Sequence, residues 1–415
     1  MTTATRAART RMLHPDPLVR RLSWILLVNT VGTGLFITVS ALYFTRIVGL
    51  GVGQVGLGLT LAGICGVAAS VPAGRAADRW GSRRVLIVLT VVEAAGMASY
   101  TLVRSFAVFL VVVCAETAVD RGSAVVRNTL YADVLPKETR VAGRAYLRAV
   151  TNVGLGVGAA LAAVALQLDT RTAYVVVILT NAASFAIVAA MLLRIPAGGM
   201  RDTAAPPVAK PRGAVRDLPF FVVTVLNALL GLQFAVLNVG IPLWVARETS
   251  APRAVIAASM ILNTVLVVAL QVRATRGVLD PGSAARTCRT AGLLLAAACL
   301  VIAVSHGLSP VAATLVLLTA VLLQGLGEVL SQAGGWLLSY ELADPQATGA
   351  YQGVFNAGMS AAMMVGPALI TSTAIGHGPA GWAIPTALFA VSGAAMLPAV
   401  RWAERRRAAG AISTG

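Results

Sequence analysis

The chain has 415 residues, 57% of them apolar and 12% charged, and its mean hydropathy is +0.81. Too little polar surface remains to coat a soluble globule, so composition indicates a polytopic membrane protein. The net charge of +17 is spread over many loops without a nucleic-acid motif, which argues against nucleic acid as a partner. Cys65, Cys114, Cys288 and Cys299 have no paired spacing, so neither a disulfide framework nor a zinc site is indicated.

Residues 1–20 form a basic leader with Arg6, Arg9, Arg11 and Arg20. The run that follows is too long for a signal sequence and has no small-residue cleavage site, so the leader is expected to be retained and cytoplasmic. Twelve apolar runs then succeed one another: 21–45, 53–73, 85–103, 106–128, 145–167, 172–193, 218–244, 254–274, 287–305, 309–332, 351–375 and 381–401. About 20 residues at 1.5 Å each cross about 30 Å of hydrocarbon, so each run is a candidate span. The stretch 194–217 carries Pro196, Pro206, Pro207 and Pro211 and reads as a cytoplasmic linker. It separates six-helix bundles at 21–193 and 218–401, with 402–415 as a cytoplasmic tail.

Lys and Arg should concentrate in the loops on the cytoplasmic side. Taken alternately from the leader, the segments of one parity hold 27 of the 33 basic residues. Both termini are therefore expected in the cytoplasm, with the protein in the cytoplasmic membrane. Trp24, Trp244, Trp382 and Trp402 fall near span ends, where interfacial anchors sit. The halves resemble each other: Asn29 and Phe36 of span one match Asn227 and Phe234 of span seven, and Tyr131 to Pro136 matches Tyr340 to Pro345. Duplicated halves are a common transporter architecture.

Between spans two and three the sequence reads Gly74-Arg-Ala-Ala-Asp78-Arg79-Trp-Gly81-Ser-Arg83-Arg84. Gly74 and Gly81 suit a tight turn and close helix approach, and Asp78 suits the exposed amides of a helix N-terminus. With twelve spans and this loop, the chain resembles the major facilitator superfamily over nearly its whole length, and within it the twelve-span drug/proton antiporters. The resemblance implies an all-α membrane fold of two pseudo-symmetric six-helix bundles. It also implies that Gly74, Asp78, Arg79, Gly81, Arg83 and Arg84 act as a conformational switch, with Asp78 bonded near Ala350 to Gly353. The arginines can alternatively set topology and bind lipid phosphate. In the matching loop of the second half, Thr275 and Arg276 replace the Asp-Arg pair unless Asp280 substitutes. Gly154 and Gly158 of span five are similar to a glycine motif of proton-coupled exporters, with Ala159 where that motif has proline; Gly366-Pro367 occurs in span eleven instead. Close helix packing explains these four residues equally well.

Charges within spans are costly and are functional candidates by default. They are Glu93, Glu116, Asp120, Arg121 and Glu328. Glu116 and Asp120, at i and i+4, share a helix face, and the repeat offset sets Asp120 opposite Glu328. His14, His306 and His377 fall in termini or loops, so a carboxylate must carry any coupled proton. Static pairing with Arg121 and Arg127 is the alternative, favoured for Glu93. By resemblance, spans one, four, seven and ten line the substrate cavity, which makes Asn29, Phe36, Tyr43, Asn227, Gln233, Phe234, Asn238 and Gln324 candidate lining residues. No cluster of arginines is evident, and a largely apolar cavity with a few acids suits hydrophobic, even cationic, solutes. The reading is a proton-driven exporter of small drug-like compounds, a monomer among lipids, without cofactor, metal or enzymatic activity. Uptake by symport or facilitated diffusion, and a sensing or scaffolding role, are the alternatives.

Overall fold

The computed structural model of the chain describes residues 16–195 and 214–412. Most of the basic leader and of the proline-rich linker therefore lies outside the described residues, as does the end of the tail. Among the described residues there are helices and no strands.

In the first half, α1 is Pro17–Leu42, α2 Val52–Trp80, α3 Ser82–Ser99, α4 Phe106–Val134, α5 Lys137–Leu168 and α6 Arg171–Leu192. In the second, α7 is Leu218–Arg247, α8 Ala254–Ala274, α9 Pro281–Val304, α10 Pro310–Glu341, α11 Thr348–Ile375 and α12 Ala383–Ile412. Eleven of these are long and apolar enough to cross a membrane. The twelfth, α4, is 29 residues long and carries Glu116, Asp120, Arg121 and Arg127.

Local chemistry sets the ends. Asp16 accepts from the Leu18 amide at 2.7 Å with Pro17 at the first helical position, which starts α1 where orphan amides need an acceptor. Asp280, the candidate substitute for a second Asp-Arg pair, likewise caps its own helix α9 by accepting from the Ser283 amide at 2.9 Å. The helices outrun the apolar runs, most clearly α5, expected from 145 and found from Lys137. Helical backbone bonds are internal, so a helix continues past the first charge into the headgroup layer. For the same reason residues 74–80 are not a loop: they are the last turns of α2, and the chain reverses at Gly81 alone, with φ 85°.

Within the first half α1 packs on α5 and α6, α2 on α4, and α3 on α4 and α6. Within the second, α9 packs on α10 and α12, α8 on α10, and α7 on α11 and α12. The halves meet where α2 lies along α11 and α5 along α8. The seam of α1 and α5 is closed by small residues: a Cβ on Gly154 would strike the Thr30 hydroxyl, and one on Gly158 the Val31 carbonyl. On α11, a Cβ on Gly366 would lie 2.8 Å from that of Ala235 on α7, and Pro367 follows inside the helix.

The second half has one contiguous apolar core. The first has two, around Tyr43, Phe44 and Phe109 at one end and around Leu26, Leu86 and Leu130 at the other. Between them lie buried Asn29, Thr90, Glu93 and Glu116. Two of the four expected interfacial tryptophans belong to the core instead. Trp244 and Trp382 are fully buried, stacked edge to face at 5.5 Å, and the Trp244 indole N–H donates to the Ser305 hydroxyl at 2.9 Å. Trp24 and Trp402 are exposed.

Candidate functional site

Gly81, the α4–α5 connection and the start of α11 lie at one end of the molecule, called here the basic end. There Asp78 reaches the N-terminus of α11, its two carboxylate oxygens accepting from the Gly349 and Ala350 amides at 2.7 Å each. Those amides are orphan donors at the positive end of a helix, so a carboxylate is the side chain that suits them best. Approach this close requires glycine. A Cβ on Gly74 would run into the Gly349 carbonyl, and one on Gly353 would lie 2.8 Å from the Ser70 carbonyl oxygen.

The rest of the motif does other work. Arg83 donates from Nε to the Leu192 carbonyl at 3.1 Å and so caps α6 within its own half. Arg79 stacks on Trp80 at 5.5 Å, and Arg79 and Arg84 are exposed. Further bonds shut the basic end between the halves. The Asn128 amide donates to Asn356 Oδ1 at 3.0 Å and the Tyr340 hydroxyl to the Asn128 carbonyl at 3.0 Å. The guanidinium of Arg144 lies over the rings of Trp336 at 5.2 Å and Tyr340 at 5.4 Å.

Above this closure, on the seam, lies a cavity of about 270 Å³. It is walled by α1, α4, α5, α7, α10 and α11, with Asn29, Arg127, Arg148, Phe234, Gln332 and Phe355 among its lining residues. Of the eight side chains expected to line it, Asn29 and Phe234 do so. Phe36 stacks on Tyr100 at 5.3 Å, and Tyr43 is buried with its hydroxyl donating to the Tyr100 carbonyl, so both belong to the first half's core. Asn227 packs against Gly335, and Asn238 donates to the Phe234 carbonyl one turn back.

Gln233 and Gln324 serve a buried acid. Gln324 Nε2 donates to Gln233 Oε1 and, at 3.5 Å, to Glu328 Oε2; Asn263 and Gln332 donate to the same carboxylate at 3.3 and 3.0 Å. Facing Glu328 from the other half is Arg148, not Asp120 as the repeat suggested. Duplication sets helix positions alike, but each half has its own lining. Asp120 is half-exposed and 3.7 Å from Arg121, whereas Glu116, one turn away, is buried against Gly96. The two acids therefore share a helix face and not an environment. Glu93 is buried in the first half beside a small cavity of about 20 Å³ that also touches Asn29, Thr90 and Arg127.

A model of the major facilitator superfamily matches residues 22–367. The chain belongs to that superfamily. Solved structures with the same facilitator fold include the human organic anion transporter MFSD10 (TETRAN), 18% identical over 92% of this chain and 100% of that one, with a TM-score of 0.65. A bacterial homologue of the iron transporter ferroportin, in an outward-facing state, is 16% identical over 94% and 100%, with a TM-score of 0.75. The fucose:proton symporter FucP of E. coli is 15% identical over 93% and 98%, with a TM-score of 0.65. No curated protein matches the chain in sequence. As a facilitator the protein is a multi-pass membrane transporter and not an enzyme.

Sequence reasoning missed Arg144 and Arg148 of α5, Arg127 of α4 and Trp336 of α10, all on the cavity wall of this facilitator. A signal existed, because Arg144, Arg148 and Thr151 recur at i, i+4 and i+7 on one face. Counting the arginines as loop charges concealed it.

Proposed function

We propose that the protein is a secondary active transporter that moves small organic compounds out of the cell by alternating access, driven by proton influx. One observation carries the reading: a solute-sized cavity lies on the seam of two bundles and is closed at one end by bonds that pass between them. Contacts of this kind form in one gate state and break in the other, which is the bistable element that a carrier needs.

The positive-inside bias supports assigning the basic end and both termini to the cytoplasm. The closed state is then the one open to the outside. Glu328 is the favoured proton carrier, since it is buried, hydrogen-bonded by three amides and opposite Arg148 across the moving seam. Glu93 and Glu116 come next for their burial, and Asp120 with Arg121 last for their exposure. Gly74 and Asp78 are the working parts of the switch, with Gly81 as its turn. The glycines of α5 match the motif of proton-coupled exporters only in part, with Ala159 in place of its proline, so the direction of transport rests on the flux experiment. A monomer in the cytoplasmic membrane is sufficient for this scheme.

The test is flux in oriented proteoliposomes under an imposed pH gradient. One proton moving through 100 mV supplies about 2.3 kcal/mol, or about fiftyfold in solute concentration. Proton and compound should move in opposite directions, and Glu328→Gln should retain solute exchange while losing its dependence on the gradient. Movement in the same direction would assign the protein to uptake.

A further inference from the structure

The geometry points to an anionic solute: the cavity between the halves binds a small organic acid, its negative group held by Arg144 and Arg148 with Arg127 beside them, its apolar body against Trp336, Phe355 and Met359. This rests on the transporter reading and names the substrate class for the same cavity.

The charge of the lining is one-sided. Three arginines and no carboxylate face the cavity, which reverses the cationic preference suggested by the lining expected from the sequence. Arg144 and Arg148 stand one turn apart on α5, and like charges at that spacing repel unless something negative lies between them. Neither is neutralised by an ion pair. Among the described residues, no carboxylate lies within 4.0 Å of Arg127, Arg144 or Arg148. Glu93 acts on Arg127 and Glu328 on Arg148 from greater range, while the partners of Arg144 are uncharged: the Tyr340 hydroxyl and the faces of two rings.

Donors also stand ready. Arg144 Nη1 and Arg148 Nε are buried and have no hydrogen-bond partner. A guanidinium inside a membrane costs several kcal/mol without a partner, and its planar fork fits carboxylate, sulfonate or phosphate groups with paired bonds. Opposite it, an indole ring, a phenyl ring and thioethers offer the apolar contact that an aryl or alkyl body needs. The neutral lining groups Asn29, Thr151 and Gln332 can orient such a solute without opposing its charge.

The experiment uses three compounds of one shape: 2-naphthoate, 2-naphthamide and 2-naphthylmethylammonium. Binding to the full chain in phosphatidylcholine nanodiscs is measured by calorimetry, and flux in proteoliposomes. Naphthoate should bind to the wild type and weaken by about ten- to a hundredfold in Arg144→Gln and Arg148→Gln, the worth of a charge-assisted hydrogen bond. Arg148→Lys should restore part of it, and Arg405→Gln, on the exposed end of α12, should change nothing. Naphthamide should bind weakly and equally to all. Equal or tighter binding of the amide or ammonium compound, or no binding of naphthoate to folded wild type, overturns the proposal. Displacement of naphthoate by phosphatidylglycerol without any naphthoate flux assigns the arginines to a lipid headgroup and overturns it as well. Flux of the ammonium compound alone leaves the transporter reading intact and refutes the anion site. Arginine-dependent binding of naphthoate with no flux of any compound does the reverse.

Discussion

Replacing Asp78 by Asn tests the closure of the basic end most directly, because it changes charge and leaves shape alone. The native carboxylate accepts two backbone N–H groups at 2.7 Å. Asn keeps one acceptor and turns an NH₂ group toward the other amide, so one charge-assisted bond is lost and the second becomes neutral. Such a bond is worth about 1.5–3 kcal/mol, against about 1 for a neutral one, and the helix N-terminus adds about 0.3–1 kcal/mol for a negative partner. Asp78 is half-buried, so the lower values apply and the closed state loses about 2.3 kcal/mol, about fortyfold in its ratio to the open state. Spin labels at Leu193 and Leu279, both exposed at the basic end of opposite halves, report the gap by dipolar spectroscopy once the four native cysteines are replaced. Wild type should give one short, narrow distance, and Asp78→Asn a longer population. An unchanged distribution in a folded variant would falsify the argument that these two bonds hold the halves together.

Gly74→Ala should shift the same label distance in the same direction, since its methyl meets the Gly349 carbonyl and overpacking costs about 1–3 kcal/mol; a distance like wild type would show that α2 and α11 yield instead. Trp244→Phe removes the indole donor and leaves the Ser305 hydroxyl only its bond to the Ile302 carbonyl, which should lower stability by about 1–2 kcal/mol, read as a fall in melting temperature in detergent. Asp169 ends α5, where the Tyr174 hydroxyl donates to it at 2.6 Å and Arg46 pairs with it at 2.8 Å, and together they hold its carboxyl below the usual range. A depressed carboxyl stabilises the fold above its unfolded value and ceases to as pH falls through the folded one. The melting difference between wild type and Asp169→Asn should therefore be present at neutral pH and close below the ordinary carboxylate range; a constant difference would mean that Asp169 acts through shape alone.

Most of the architecture was legible in the sequence, because a membrane span must be long, apolar and internally hydrogen-bonded, and few sequences satisfy that by accident. The family was legible for the same reason, through Gly74, Asp78 and Gly81 in one topological position. Helix ends were not. A span read from hydropathy ends where charges cluster, whereas α2 continues through Arg75, Asp78 and Arg79 to Trp80. That convention also concealed the cavity wall: Arg127 and Arg148 lie inside the runs 106–128 and 145–167 but were counted with the flanking loops. Polar and aromatic residues on expected lining helices were overcounted in turn. A helix has two faces, and one sequence does not say whether Tyr43 turns toward the partner bundle or, as it does, toward Tyr100.

The glycine seam between α1 and α5 makes those two helices a stiff beam. Backbone rests on backbone at Gly34 and Gly158, and at Gly154 only the short side chain of Thr30 intervenes, so at these positions no long side chain is there to bend or slide. Any rocking of the first half therefore carries Arg144 and Arg148 with it as rigidly as the beam's own end. Trp336 and Tyr340 ride on α10, in the other half. When the basic end parts, the guanidinium must slide off both rings, and the two anchors of a bound molecule separate in the same stroke. Opening the basic end and loosening the grip are then a single displacement, and no separate signal has to travel between them.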